Sequence, residues 1–231
     1  MALKPYSIVY DFFLNDGQKK TFAVRLDSET ISLIRPASGL KPDWTKLEYE
    51  QCRNCPLDSA SQPYCPVAVN IADIVVEFKD MLSTEECKVR CWTPERTYLK
   101  KTSITEGITS LFGIIMATSD CPILEFLKPM ARFHLPFSTA EETTVRATSL
   151  FLLRLYFEAG KKSFPTNAIN RFEGHYTQVK LVNEGLFKRI STVGNEDADK
   201  NAIVMLHSLS QLLCMETTYS LSSLEYLFPK G

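Results

Sequence analysis

Ser103-Ile104-Thr105-Glu106 divides the chain into two kinds of sequence. A serine followed three residues later by glutamate is a helix-start pattern, the capping box, in which each side chain satisfies a backbone N–H of the first turn. Behind it Ile104, Ile108, Leu111, Phe112 and Ile115 recur at helical spacing, which predicts an amphipathic helix. Upstream of this point the apolar residues mostly alternate in twos, and downstream they recur every three or four. The reading is an α+β protein. Positions 1–102 form antiparallel hairpins and a meander with one helix, and positions 103–231 form a helical bundle packed on them through a shared core.

Upstream, Ile8, Tyr10, Phe12 and Leu14 alternate with less apolar residues, as do Phe22, Val24 and Leu26 after Asn15-Asp16-Gly17-Gln18. An Asp-Gly pair between two such runs predicts a β-hairpin. A turn at Asp27-Ser28-Glu29-Thr30 leads to Ile31-Ser32-Leu33-Ile34, read as a third strand. A loop from Ser38 to Asp43 then delivers Trp44 and a short extended piece over Lys46 to Glu50. From Pro66, the positions Val67, Ile71, Ile74, Val75, Phe78 and Leu82 predict a helix of about four to five turns. Residues Cys87 to Trp92 and Arg96 to Lys101 predict a second hairpin.

Downstream, Ser138-Thr139-Ala140-Glu141 is a second capping box opening a helix to about Ala159. Its apolar segment from Leu150 to Phe157 suggests a central position. A long amphipathic helix follows over Ile169 to Ile190, and a last one is marked by Ala202, Leu206, Leu209 and Leu213. Arg146 and Arg154, on an apolar helix, need partners such as Glu142 or Glu158.

The chemistry concentrates in Gln51-Cys52-Arg53-Asn54-Cys55-Pro56, followed by Tyr64-Cys65-Pro66 and, much later, Asp120-Cys121-Pro122. Two thiols separated by two residues can grip one metal centre, and a third after a nine-residue loop can join them. We take Cys121 as the fourth ligand of a Cys52, Cys55, Cys65, Cys121 site. Proline after Cys65 and Cys121 suits the first helical position and places both thiols at helix N-caps, where the helix end favours thiolate. Cys-Pro pairs also occur in ferredoxin-type motifs, so a [4Fe–4S] cluster is favoured over zinc. The competing reading is plain core packing, since cysteine is commonly buried. Packing suffices for Cys87 and Cys91, which share a strand face with Val89, and for Cys214.

Lys128-Pro129-Met130-Ala131-Arg132-Phe133-His134 gathers Lys128, Arg132 and His134 ahead of a capped helix. These three are a candidate site for a small anionic ligand, with Arg132 as a planar fork and His134 as a titratable donor. The competing reading makes His134 a satisfied interior residue. No HExxH, GxSxG or Walker pattern is present, and His175 and His207 read as surface or packing residues.

A formal charge of −1 and a pI near 6.3 lack the basic bias of a general nucleic-acid binder. The longest apolar helical run, Ile108 to Ala117, falls short of the ~20 residues that span a bilayer. Seven cysteines with no signal-peptide pattern predict reduced thiols in a cytoplasm.

Several of these stretches together resemble an uncharacterised bacterial domain family. They are Cys52-Arg53-Asn54-Cys55-Pro56-Leu57, Cys65-Pro66, Glu95-Arg96-Thr97-Tyr98, Thr118-Ser119-Asp120-Cys121-Pro122 and Lys128 to Phe137. The resemblance covers nearly the whole chain and implies a bacterial cytosolic protein with no assigned activity. Where that family has glycine after the serine of this motif, Asp120 stands here. Two functions fit these residues. One is a non-catalytic metal-cluster module that senses or scaffolds; the other is an enzyme with an anion pocket at Arg132 and His134 between the two units.

Overall fold

The computed structural model describes residues 4–35, 39–161, 166–193, 197–218 and 221–228. Its sheet has four antiparallel strands in the order β2-β1-β3-β4: β1 Tyr6–Leu14, β2 Lys19–Leu26, β3 Glu86–Trp92 and β4 Thr97–Ser103. The first hairpin turns at Asp16-Gly17, where Gly17 takes the left-handed φ of +85° that glycine adopts without penalty. Alternation then sorts the two faces. Ile8, Tyr10, Phe12, Leu14, Val24, Leu26, Cys87, Val89 and Cys91 are all buried on the inner face. On the outer face the carboxylate of Asp11 is buried beneath Lys19, Thr21 and Arg90, with which it forms hydrogen bonds or ion pairs.

The third strand expected at Ile31-Ser32-Leu33-Ile34 is absent. Ile31 has a φ of +58°, which breaks the extended run, and one isolated bridge joins Leu33 to Leu26. Leu33 instead donates its N–H to Thr118 O at 2.9 Å, tying the segment to the end of a helix. Lys46 to Glu50 likewise makes a single bridge, Lys46 to Tyr64, and then turns. Of the loop read from Ser38, the first residue lies outside those described.

Helix α1 spans Pro66–Phe78, shorter than expected, and Leu82 beyond it is exposed. Helix α2, Ile104–Thr118, is the central one, with 12 of its 15 residues buried. The Ser103 side chain accepts from the Glu106 N–H, but only half of the capping box forms, because the Glu106 carboxylate is taken by Lys100 and Thr102 of β4. Gly107 lets α2 lie directly on the sheet: a Cβ there would stand 2.5 Å from Phe12 Cε1 and 3.0 Å from Val89 Cγ2.

After α3, Lys128–Arg132, comes α4, Ala140–Glu158, capped one residue later than expected, by Thr139 with Glu142. Contrary to the sequence reading, α4 is peripheral, since Leu153 and Phe157 are exposed while its inner side buries Ala147, Phe151 and Leu155. Arg154 pairs with Glu158, as expected, whereas Arg146 donates to the carbonyls of Met130 and Phe133. Helices α5, Ala168–Ile190, and α6, Ala198–Thr218, complete the fold. Buried apolar residues from both halves of the chain form one connected core. Each fully buried Leu, Ile or Phe there contributes about 1.5–3 kcal/mol relative to exposure.

Candidate metal centre

Three segments build the site: the loop from Trp44 to Cys65, the turn at Asp120–Leu124, and one face of α5. The loop folds back on itself, with Cys65 N–H donating to Thr45 O at 2.8 Å and Leu47 N–H to Pro63 O at 2.9 Å. Within it, Cys55 N–H donates to Cys52 O at 3.0 Å, which closes the CxxC turn. Cys65 is the N-cap of α1, with Pro66 in the first helical position as expected. Cys121 instead heads a hydrogen-bonded turn that runs into a short 3-10 helix, Glu125–Leu127, with Leu124 N–H on Cys121 O at 3.0 Å. It therefore caps a turn rather than an α-helix.

Helix α5 supplies what the sequence reading missed. Gln178, Val182, Gly185 and Arg189 follow one another at intervals of four, three and four residues, so they share one face. Asn54, between the two cysteines of the CxxC, donates to the Gln178 carbonyl at 3.0 Å and to its side-chain oxygen at 2.9 Å. The Cys52 thiol points at Val182 O, 3.9 Å away. Gly185 lies against Cys52 itself. Arg189 is 1% exposed and donates to the carbonyls of Trp44, Lys46 and Leu47 at 2.9, 2.6 and 2.8 Å. No carboxylate pairs with it among the described residues, and its Nε is without a partner. A helical face at this spacing was visible in the sequence, but nothing there said that it faces a loop more than 100 residues away.

The four thiols lie near enough for their charges to act on one another. Burial pushes the Cys52 thiol up to about 12; Cys65, Cys55 and Cys121 push in the same direction, and the Arg189 guanidinium opposes them. Burial likewise pushes Cys121 up to about 11, with Cys65 and Cys55 adding to it, while the N–H groups of Ile123 and Leu124 stabilise its thiolate. Without a metal, Cys52 and Cys121 are therefore neutral thiols at physiological pH. None of the seven cysteines forms a disulfide. Among the described residues no three His, Cys, Asp or Glu side chains already stand close enough to close on one ion. Electrostatic influence simply reaches further than coordination does.

Asp120, beside Cys121, has a φ of +61°, the left-handed region. Glycine is the residue that occupies this region freely. The Asp120 carboxylate accepts from Ser32 Oγ at 2.7 Å and Lys128 Nζ at 3.3 Å, which anchors this backbone against the Leu33 segment. A cleft of about 390 Å³, lined by Arg35, Lys41, Tyr64, Asn70 and Asp120 among others, opens beside Cys65 and Cys121.

The anion-site residues face three different ways. Lys128 pairs with Asp120. Arg132 stacks on the Tyr6 ring, 4.1 Å from its centroid. His134 shares a hydrogen bond between Nε2 and the Tyr10 hydroxyl, and burial, with Arg146 nearby, pushes it down to about 3, so the ring stays neutral. His175 packs on Phe126 and Phe151.

No helix among the described residues is long and apolar enough to cross a membrane. Neither the curated proteins nor the solved structures contain a match to the chain. The family model described as Domain of unknown function (DUF6901) matches residues 8–229 of the 231, carrying both the cysteine segments and every element of the fold described above but the first two residues of β1. The chain belongs to this family of unknown function.

Proposed function

We propose that the protein is a cytoplasmic metal-cluster module in which Cys52, Cys55, Cys65 and Cys121 hold an iron–sulfur cluster, with zinc as the alternative. The module senses or scaffolds and does not itself catalyse. The observation that carries this reading is Arg189, a fully buried cation with no carboxylate partner among the described residues, placed where it acts on Cys52 and fixes the cysteine loop. A buried charge is costly unless it is compensated. Four thiolates around a metal centre carry the negative charge that would compensate it, and the guanidinium in turn stabilises them.

Other features support the same reading. Burial makes each thiolate expensive alone, so metal binding and proton release are coupled. The enzyme reading draws less support, because Lys128, Arg132 and His134 are engaged separately.

Anaerobic purification followed by absorption spectroscopy and elemental analysis tests the proposal. Iron and acid-labile sulfide in equal amounts, with broad visible absorption, are expected. Stoichiometric zinc in a colourless protein selects the alternative, and a protein holding neither after reconstitution overturns both.

A further inference from the structure

A second cavity, of about 360 Å³, lies among α2, α3, α4, α5 and α6, and no cysteine lines it. Its walls are mostly apolar, with Met116, Leu124, Met205, Leu206, Leu209 and Leu213 prominent. Pockets of roughly 300–1,000 Å³ with apolar walls and a few convergent polar groups are the usual form of a small-molecule site. Two polar side chains on these walls are incompletely used. Asn183 is 1% exposed, and its Nδ2 donates to Ser210 Oγ while its Oδ1 has no partner among the described residues. Arg146 spends one terminal nitrogen on the carbonyls of Met130 and Phe133 and has no ion pair among the described residues. His134, which shares a hydrogen bond between Nε2 and the Tyr10 hydroxyl, lines the same wall.

We propose that this cavity binds an amphipathic organic acid, with its carboxylate on Arg146 beside His134 and its apolar body among the methionine and leucine side chains. An anionic head suits the wall, because Arg146 has no ion pair among the described residues, Glu142 acts on it only from further away, the Glu106 carboxylate is taken by Lys100 and Thr102, and a planar guanidinium matches a carboxylate's two oxygens. Methionine walls adapt to chains of different shape. A second anion site at Arg132 is not implied, since that side chain does not line the cavity. Asn183 Oδ1 holds an incoming group that has a hydrogen to donate, since an acceptor buried alone is unfavourable.

Gly113 makes the cavity testable without disturbing its surroundings. It lines the wall, and a Cβ added there meets only Leu206 Cδ2, at 3.8 Å, an ordinary contact. A larger side chain at 113 therefore enters the empty space. Titration calorimetry of the full chain with decanoate and with decan-1-ol is the test. Decanoate should bind saturably at one site, and decan-1-ol about tenfold more weakly for want of the charge. Arg146→Gln should erase that preference and Arg146→Lys should keep part of it. Gly113→Leu should abolish both affinities while its melting temperature stays at or above that of the wild type. The proposal is overturned by an absence of saturable decanoate binding to the wild type, by a preference that survives Arg146→Gln, or by undiminished binding to Gly113→Leu.

Discussion

Gly185 of α5 and Cys52 of the cysteine loop are in direct contact, and the contact leaves no room for a side chain. A Cβ at residue 185 would stand 2.6 Å from Cys52 Sγ and 3.3 Å from its Cα. Eleven residues earlier on the same helix, Gly174 has nothing within 4 Å. The two glycines thus have opposite reasons to be tested.

In a helix interior, alanine is favoured over glycine by about 0.8–1 kcal/mol. Gly174→Ala should therefore stabilise the protein by up to that amount. Gly185→Ala must push the CxxC loop away and should destabilise it by about 1–3 kcal/mol, as overpacking does, with reduced metal uptake. Urea unfolding of both variants checks this; equal effects of the two substitutions would refute the close packing of α5 on Cys52.

In the proposed centre, metal on Cys121 would join a turn to a loop more than fifty residues earlier in the chain. Metal held across that connection contributes on the scale of a domain's whole net stability, since structural zinc sites reach ~10–16 kcal/mol against a net ~5–15. Cys121→Ser should lower metal content and melting temperature together. Cys214→Ser, on α6 and outside the site, should leave metal content unchanged. Should metal and stability both survive Cys121→Ser, Cys121 is packing and not a ligand.

Asp199, in the first turn of α6, is 4% exposed, its Oδ1 has no partner, and burial pushes its carboxyl up to about 8, with Lys200 opposing. The folded state therefore holds this proton more tightly than the unfolded chain does. Stability is fully present below about pH 4, the ordinary carboxylate range, and falls as pH rises to about 8. Asp199→Asn should remove that loss, on the order of 2–5 kcal/mol at high pH. Denaturant midpoints measured at about pH 5, 7 and 9 decide the matter; parallel pH dependence in wild type and variant would rule the buried carboxyl out as its source.

What the sequence determined by itself is local. Alternation laid out both hairpins of the sheet, the capping residues marked the starts of α2 and α4 to within one position, and periodicity gave α5 and α6. These signals suffice because each depends on neighbours within a few residues. The tertiary structure decided whatever depends on distant neighbours. Ile31–Ile34 has strand composition, yet its backbone N–H groups are divided among Asp27, Thr118 of α2 and Arg25 of β2 and build no ladder. The apolar run of α4 looked central, but burial is set by which helix lies on the sheet, and Gly107 gives that place to α2. At the candidate centre the cysteines were legible as residue types, while Gly185 and Arg189, which hold their loop, were not. A glycine in a helix says only that a side chain is missing, and an arginine on an apolar face says only that it needs partners. What fills the space over one and accepts from the other is fixed when α5 packs against a loop well over a hundred residues before it.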